Sequence, residues 1–187
     1  HADRFKYNTG YGMSAYDKGS IFLSQLQYVI GKENFDNTLK KYFDDWSFKH
    51  PKPNDFIRSA EKVSGLELDW YLLDWAQSTM TIDYSVNSLY GVDNKTRIVL
   101  KRIGQMGMPI DLRIKLKSGE TLDYNIPMTK MRGSKPLQSS TLLKSWSWAK
   151  PYYEVWLDID SKNISKITID PKNEMADINR DNNYLAL

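Results

Sequence analysis

A phenol, a lysine and a glycine lie within four positions of one another in Ser14-Ala15-Tyr16-Asp17-Lys18-Gly19, ahead of the apolar run Ser20 to Ile30. Ser14 and Asp17 stand at N-cap spacing. One offers a hydroxyl to an orphan backbone N–H, the other a carboxylate to the positive end of a helix. Tyr16 then falls in the first turn, where its phenol reaches past the helix into whatever the N-terminus faces. With a reference pKa near 10 it is a neutral hydrogen-bond donor at pH 7; it also reads as an amphipathic packing tyrosine. Lys18 is about 200° round a helix from Tyr16, which makes it structural or electrostatic. Gly19 costs a helix about 1 kcal/mol relative to Ala, and is expected where another backbone comes close.

Other chemistry is thinly represented. Asp44-Asp45 and Glu67-Asp69 pair carboxylates, but acid/base work needs a pKa moved by burial or by a like charge. Both pairs stand in charged helix-end contexts that favour capping and solvation. No G-x-S-x-G elbow occurs. The two histidines, His1 and His50, are not at ligand spacing and are a poor basis for a triad, and H-E-x-x-H is absent. With no cysteine, thiolate metal sites and disulfides are excluded. The aromatic group Trp146, Trp148, Tyr152, Tyr153 and Trp156 reads either as a sugar-stacking platform or as packing. Packing is favoured because Trp156 alternates with Val155 and Leu157.

These residues need elements to hold them. His1 to Met13, with Gly10 and Gly12 as breakers, reads as a loop. Helical spacing follows over Tyr16 to Ile30 (Ile21, Phe22, Leu26, Val29), with Gly31 at the C′ position. Three more helices are expected over 32–45, 54–63 and 66–77, separated by His50-Pro51-Lys52-Pro53 and Gly65. From about Thr81 the period changes to alternation: 81–86, 98–102 after the turn-like Asp93-Asn94, then Ile110 to Leu116 returning through Ser118-Gly119 into Thr121 to Ile126. Later candidates are Tyr152 to Ile159 and Ser165 to Ile169, and the last residues, Tyr184 to Leu187, are expected to fray. The fold class predicted is α+β, an N-terminal α-helical bundle over 1–80 followed by a β-sandwich domain over 81–187.

Tyr16-Asp17-Lys18-Gly19, the apolar helix, Ile30-Gly31-Lys32-Glu33-Asn34-Phe35 and Lys40-Lys41-Tyr42-Phe43 together resemble the aminopeptidase N-like gluzincins, zinc-dependent peptidases. The similarity runs on through Asn54-Asp55-Phe56 and Leu68-Asp69-Trp70-Tyr71 to Asp74-Trp75-Ala76-Gln77. A bacterial branch of that family has a following β domain that Leu100-Lys101-Arg102-Ile103-Gly104, Met108-Pro109-Ile110-Asp111 and Ile169-Asp170-Pro171 resemble. So does the closing run Asp177 to Asn183. The resemblance implies that Tyr16 is catalytic, hydrogen-bonding the oxyanion formed on the peptide carbonyl. It also implies that zinc is held by two histidines and a glutamate upstream of that tyrosine. The chain therefore reads as the part after the zinc site, inactive alone, its partners a peptide substrate and the missing N-terminal part of the same protein. An extracytoplasmic location is expected from the resemblance only.

Composition agrees with a globular chain. Of 187 residues 41% are apolar, with six Trp and twelve Tyr, and the net charge is a mild +3 with the signs interspersed. Nothing resembles a basic tract for nucleic acid, and no apolar run approaches the ~18 residues of a membrane span. Two other readings stay open at this stage. One is a non-catalytic glycan- or partner-binding β-sandwich, which would be favoured by Trp146, Trp148 and Tyr152 exposed in one plane with Tyr16 buried in the helix core. The other is a relative that has lost its zinc site.

Overall fold

The computed structural model describes residues 4–187; His1 lies outside them. Helix α1 (Asn8–Gly12), a π-helical turn (Met13–Asp17) and α2 (Lys18–Ile30) follow one another without a break. The expected loop to Met13 and N-cap at Ser14 are therefore corrected. Gly12 (φ −56°, ψ −51°) and Asp17 (φ −69°, ψ −51°) are already helical, and the extended residue ahead of the first turn is Tyr7 (φ −135°, ψ 144°). Two glycines weaken a helix by about 1 kcal/mol each, and that did not suffice to break this one. Gly31, at φ 83°, ends α2 with its N–H on the Gln27 carbonyl at 2.8 Å. That is a left-handed conformation in which a Cβ would be strained.

Helix α3 (Lys32–Trp46) follows directly. Helix α4 (Pro53–Ser64) is started by Asp55, whose carboxylate accepts the Lys52 N–H at 2.8 Å, and is stopped by Gly65 at φ 71°. Helix α5 (Asp69–Gln77) is the last. Among the described residues no helix is long and apolar enough to cross a membrane.

Strands β1 (Tyr84–Val92) and β2 (Lys95–Arg102) form a hairpin over Asp93-Asn94. Both turn residues have positive φ (45° and 63°), as a two-residue hairpin turn requires. The other strands are β3 (Ile110–Leu116), β4 (Thr121–Ile126), β5 (Thr141–Leu142), β6 (Tyr152–Leu157), β7 (Ile164–Ile169) and β8 (Tyr184–Ala186). They make a three-stranded sheet of order β1-β2-β6 and a five-stranded sheet of order β5-β4-β3-β7-β8. The molecule is thus α+β with two sheets. In β3 the alternation works as read: Ile110, Leu112 and Ile114 are buried, while Asp111, Arg113 and Lys115 are not. Residues 184–186 do not fray but pair with β7. Three residues carry too little alternation to announce a strand, and this one exists through its neighbour.

One connected apolar core runs through the molecule. It takes Leu26, Val29 and Ile30 from α2 and Ile57 and Ala60 from α4, then continues into Ile98, Leu100, Ile110 and Leu112 of the sheets. The helix that carries Tyr16 therefore packs its far end into the same core as the strands.

Candidate functional site

Tyr16 sits in the π-helical turn and is 70% exposed. Such turns insert one extra residue into an α-helix and are frequent at functional sites. The ring meets Tyr11 edge-on at 6.3 Å, and Tyr11 meets Phe5 in the same way at 6.1 Å. Tyr7 and Met13 are exposed beside them. The Tyr16 hydroxyl has no hydrogen-bond partner among the described residues, so a donor stands free on an open aromatic surface.

What holds this donor in place lies farther along the helix. Lys18 Nζ donates to the Ser78 carbonyl at 3.3 Å, just beyond α5. That is a tie between the two helices. The Tyr71 hydroxyl donates to the Phe22 carbonyl at 2.5 Å, and burial pushes its phenol pKa well up, so it stays a neutral donor. Gln25, 2% exposed, donates from Nε2 to the Glu174 carbonyl at 2.8 Å and accepts the Ala176 N–H on Oε1 at 2.9 Å. Tyr28 Oη accepts the Asp111 N–H at 3.1 Å. Nothing in the sequence singled out Gln25, because a lone glutamine in an apolar helix has no pattern to betray its partners. Gly19 corrects an expectation: a Cβ there would meet nothing within 4 Å, so no backbone approaches it.

The other candidates do not assemble into a catalytic set. Lys41 bonds Asp45 at 2.9 Å and holds its carboxyl below the usual range, and Glu67 lies 3.7 Å from Arg132. Both are surface ion pairs. His50 is an exposed loop residue. Among the described residues no three His, Cys, Asp or Glu side chains are grouped so as to hold a metal ion.

The aromatic group is split. Trp146 is 4% exposed, packed against Tyr84 (5.5 Å) and Tyr153 (5.2 Å), with Nε1 donating to the Lys150 carbonyl at 2.8 Å. Trp148, Tyr152 and Trp156 are exposed, while Val155 and Leu157 point inward from the same strand. With Trp146 buried and Tyr16 exposed, neither condition for the glycan-platform reading is met. A cleft of about 560 Å³ between α2 and the five-stranded sheet is lined by Tyr28, Asp111, Arg113, Lys135 and Asp170. Four of its charges pair within it: Lys135 with Asp111 at 2.7 Å, and Arg113 with Asp123 at 2.7 and 2.8 Å. Tyr16 does not line it.

Residues 3–75, which include this tyrosine, match the family model described as the peptidase family M1 domain. The chain is 27% identical over 112 residues to tricorn protease-interacting factor F2 of Thermoplasma acidophilum, covering 57% of this chain and 14% of that protein. It is 31% identical over 83 residues to glutamyl aminopeptidase of Rattus norvegicus, covering 44% and 8%. To aminopeptidase N of Escherichia coli it is 25% identical over 71 residues, covering 38% and 8%. The chain thus spans between 8% and 14% of the length of these relatives. A solved structure of Legionella pneumophila aminopeptidase A in complex with aspartic acid superposes with a TM-score of 0.56 at 18% identity. That alignment covers 85% of this chain and 17% of that one, a likeness of fold. Residues 3–75 are thus similar to the peptidase family M1 domain, and the chain resembles a piece of an aminopeptidase N-like peptidase.

Proposed function

We propose that this chain is the portion of a zinc-dependent aminopeptidase that carries the oxyanion-binding tyrosine, with Tyr16 in that role. The observation that carries the reading is the family match over residues 3–75, within which Tyr16 is an exposed donor on a π-turn with no hydrogen-bond partner among the described residues. When water adds to a peptide carbonyl, negative charge appears on the carbonyl oxygen. A fixed neutral phenol donates a hydrogen bond that strengthens as that charge grows, and so favours the transition state over the bound substrate.

The described residues do not fit a zinc site. Zinc and its ligands are accordingly assigned to the remainder of the protein, and this chain alone to inactivity. Exposed Phe5, Tyr7, Tyr11 and Met13 around Tyr16 support an N-terminal part packed over this face. A peptide with a free N-terminus as substrate is supported by two relatives named as aminopeptidases. A helical half-domain over 1–80 and a β-sandwich over 81–187 are supported by α5 ending at Gln77, β1 beginning at Tyr84, and two sheets with buried faces. An extracytoplasmic location rests on the family resemblance.

The test is direct. The intact protein should release N-terminal residues from peptides and lose that activity to a zinc chelator, while residues 1–187 alone should release none. An intact protein that binds zinc yet cleaves no peptide, or one that cleaves only internal bonds, would overturn the proposal.

A further inference from the structure

The helix that bears Tyr16 is buried at its far end only, and ahead of that end it is held by two single hydrogen bonds, Lys18 to the Ser78 carbonyl and Tyr71 to the Phe22 carbonyl. Of α2, the buried residues are Gln25, Leu26, Tyr28, Val29 and Ile30, all in its last six positions, whereas Met13 to Lys18 are exposed. Tyr16 is thus carried on the exposed end of a helix whose buried end is its main seat. Four apolar or aromatic side chains seat the buried end by packing, which resists separation better than it resists rotation and sliding. Hydrogen bonds fix those, and the one side chain of α2 that makes two of them to a distant backbone is Gln25. Its Nε2 donates to the Glu174 carbonyl at 2.8 Å and its Oε1 accepts the Ala176 N–H at 2.9 Å. An amide held through both its atoms has one orientation.

The strand-side partner is itself stiff. Asp170 is buried, with backbone in the left-handed region at φ 49°. Its Oδ1 accepts the Glu174 N–H at 3.0 Å and its Oδ2 the Met175 N–H at 2.8 Å. The Asp170 N–H is in turn spent on the Asp111 carbonyl at 2.7 Å, in β3. A continuous path of hydrogen bonds therefore joins the five-stranded sheet, through loop residues 170–176, to Gln25.

We propose that Gln25 is a positioning residue for Tyr16: the loop 170–176, by clamping the Gln25 amide, sets the angle of the helix whose other end presents the phenol. The proposal rests on the reading of Tyr16 given above. Nine residues separate the two, about 13 Å along a helix, so a tilt of about 5° at the clamp moves Tyr16 by about 1 Å. A displacement of that size in a reacting geometry costs on the order of 10² in rate. The β-rich part thereby acts on a group it does not touch.

The test is a double-mutant cycle on the intact enzyme, with Gln25→Leu, Tyr16→Phe and the pair, read as kcat and KM separately. Gln25→Leu should lower kcat at least about tenfold with KM within about twofold, as loss of a transition-state contact does. In the Tyr16→Phe background the same change should leave kcat within about twofold, because the group it positions is already gone. A merely structural Gln25 gives equal losses in both backgrounds, and that outcome, or a parental kcat for Gln25→Leu, overturns the proposal. Amide hydrogen exchange over residues 13–24 gives a readout independent of catalysis. It should quicken at least about tenfold in Gln25→Leu, and unchanged exchange refutes the clamp. If Tyr16→Phe alone keeps the parental kcat, the Tyr16 reading fails, while the exchange result still decides the clamp. Should Gln25→Leu not fold, Asp170→Asn loosens the same loop from its other side and must show the same kcat loss and faster exchange.

Discussion

Tyr84→Phe removes one oxygen from the centre of the molecule, and its cost can be worked out from the contacts. Tyr84 is 2% exposed, its ring edge-on to Trp146 at 5.5 Å. Its hydroxyl donates to the Met108 carbonyl at 3.2 Å and accepts the Met108 N–H at 2.8 Å. Phe keeps the ring packing and leaves two buried backbone groups unpaired, at about 1–3 kcal/mol each. Less desolvation of the lost hydroxyl offsets part of this, so a net loss of about 2–3 kcal/mol is expected at pH 8. The loss should depend on pH. Burial pushes the Tyr84 phenol up to about 12, against about 10 in an unfolded chain. The folded state therefore holds its proton while the unfolded state releases one, and the stability this group confers is full below pH ~10 and lost as pH rises toward 12. At pH 11 about 1.4 kcal/mol of the parent's advantage should be gone. Urea unfolding of parent and variant at pH 8 and pH 11, followed by tryptophan fluorescence, gives both numbers. The other buried tyrosines titrate alike in the two proteins and cancel. A difference below about 0.5 kcal/mol at pH 8, or one that does not shrink at pH 11, refutes the reasoning.

Gly104→Ala should destabilise by about 3 kcal/mol or more, because its Cβ would lie 2.3 Å from the Thr81 carbonyl oxygen and 2.7 Å from the Asp83 nitrogen, both backbone. Gly12→Ala, helical with open space around it, should instead stabilise by roughly 0.5–1 kcal/mol; thermal melts of the two variants, shifted in opposite directions, are the check. Asp123, held below the usual carboxylate range by its bidentate bond to Arg113, stabilises at neutral pH and loses that contribution as pH falls through its depressed folded pKa. Asp123→Asn should therefore cost at most about 1 kcal/mol at pH 7, since the pair is partly solvated. The cost should disappear in unfolding curves measured near pH 2.

The helical and alternating periods were legible from the sequence because burial imposes them directly. Ile110, Leu112 and Ile114 face one core, and Gly31 and Gly65 stop their helices with positive φ, where a side chain would strain. The start of the first helix was not legible. Gly10, Gly12 and the capping pattern at Ser14 each argued for a later start, and local propensities of about 1 kcal/mol were outweighed by helix continuity. The short strands β5 and β8 were hidden for a different reason, since two or three residues hold no period and depend on a neighbouring strand. At the site, Tyr16 was visible through its surrounding motif and not through periodicity, which fits a packing tyrosine as well. The Gln25 clamp was invisible, because its partners lie about 150 positions away in sequence.

In the role proposed for it, the Tyr16 phenol meets charge that develops only in the transition state. Steady-state kinetics of Tyr16→Phe in the intact protein tests it most directly, with the melting temperature measured on the same sample. The variant should have kcat lower by about 10² to 10³, the usual loss for one oxyanion donor, with KM within about threefold. The melting temperature should be unchanged, since Tyr16 is 70% exposed and its hydroxyl has no hydrogen-bond partner among the described residues. A variant that turns over within about threefold of the parent, or one whose lost activity is matched by its unfolded fraction, would contradict it.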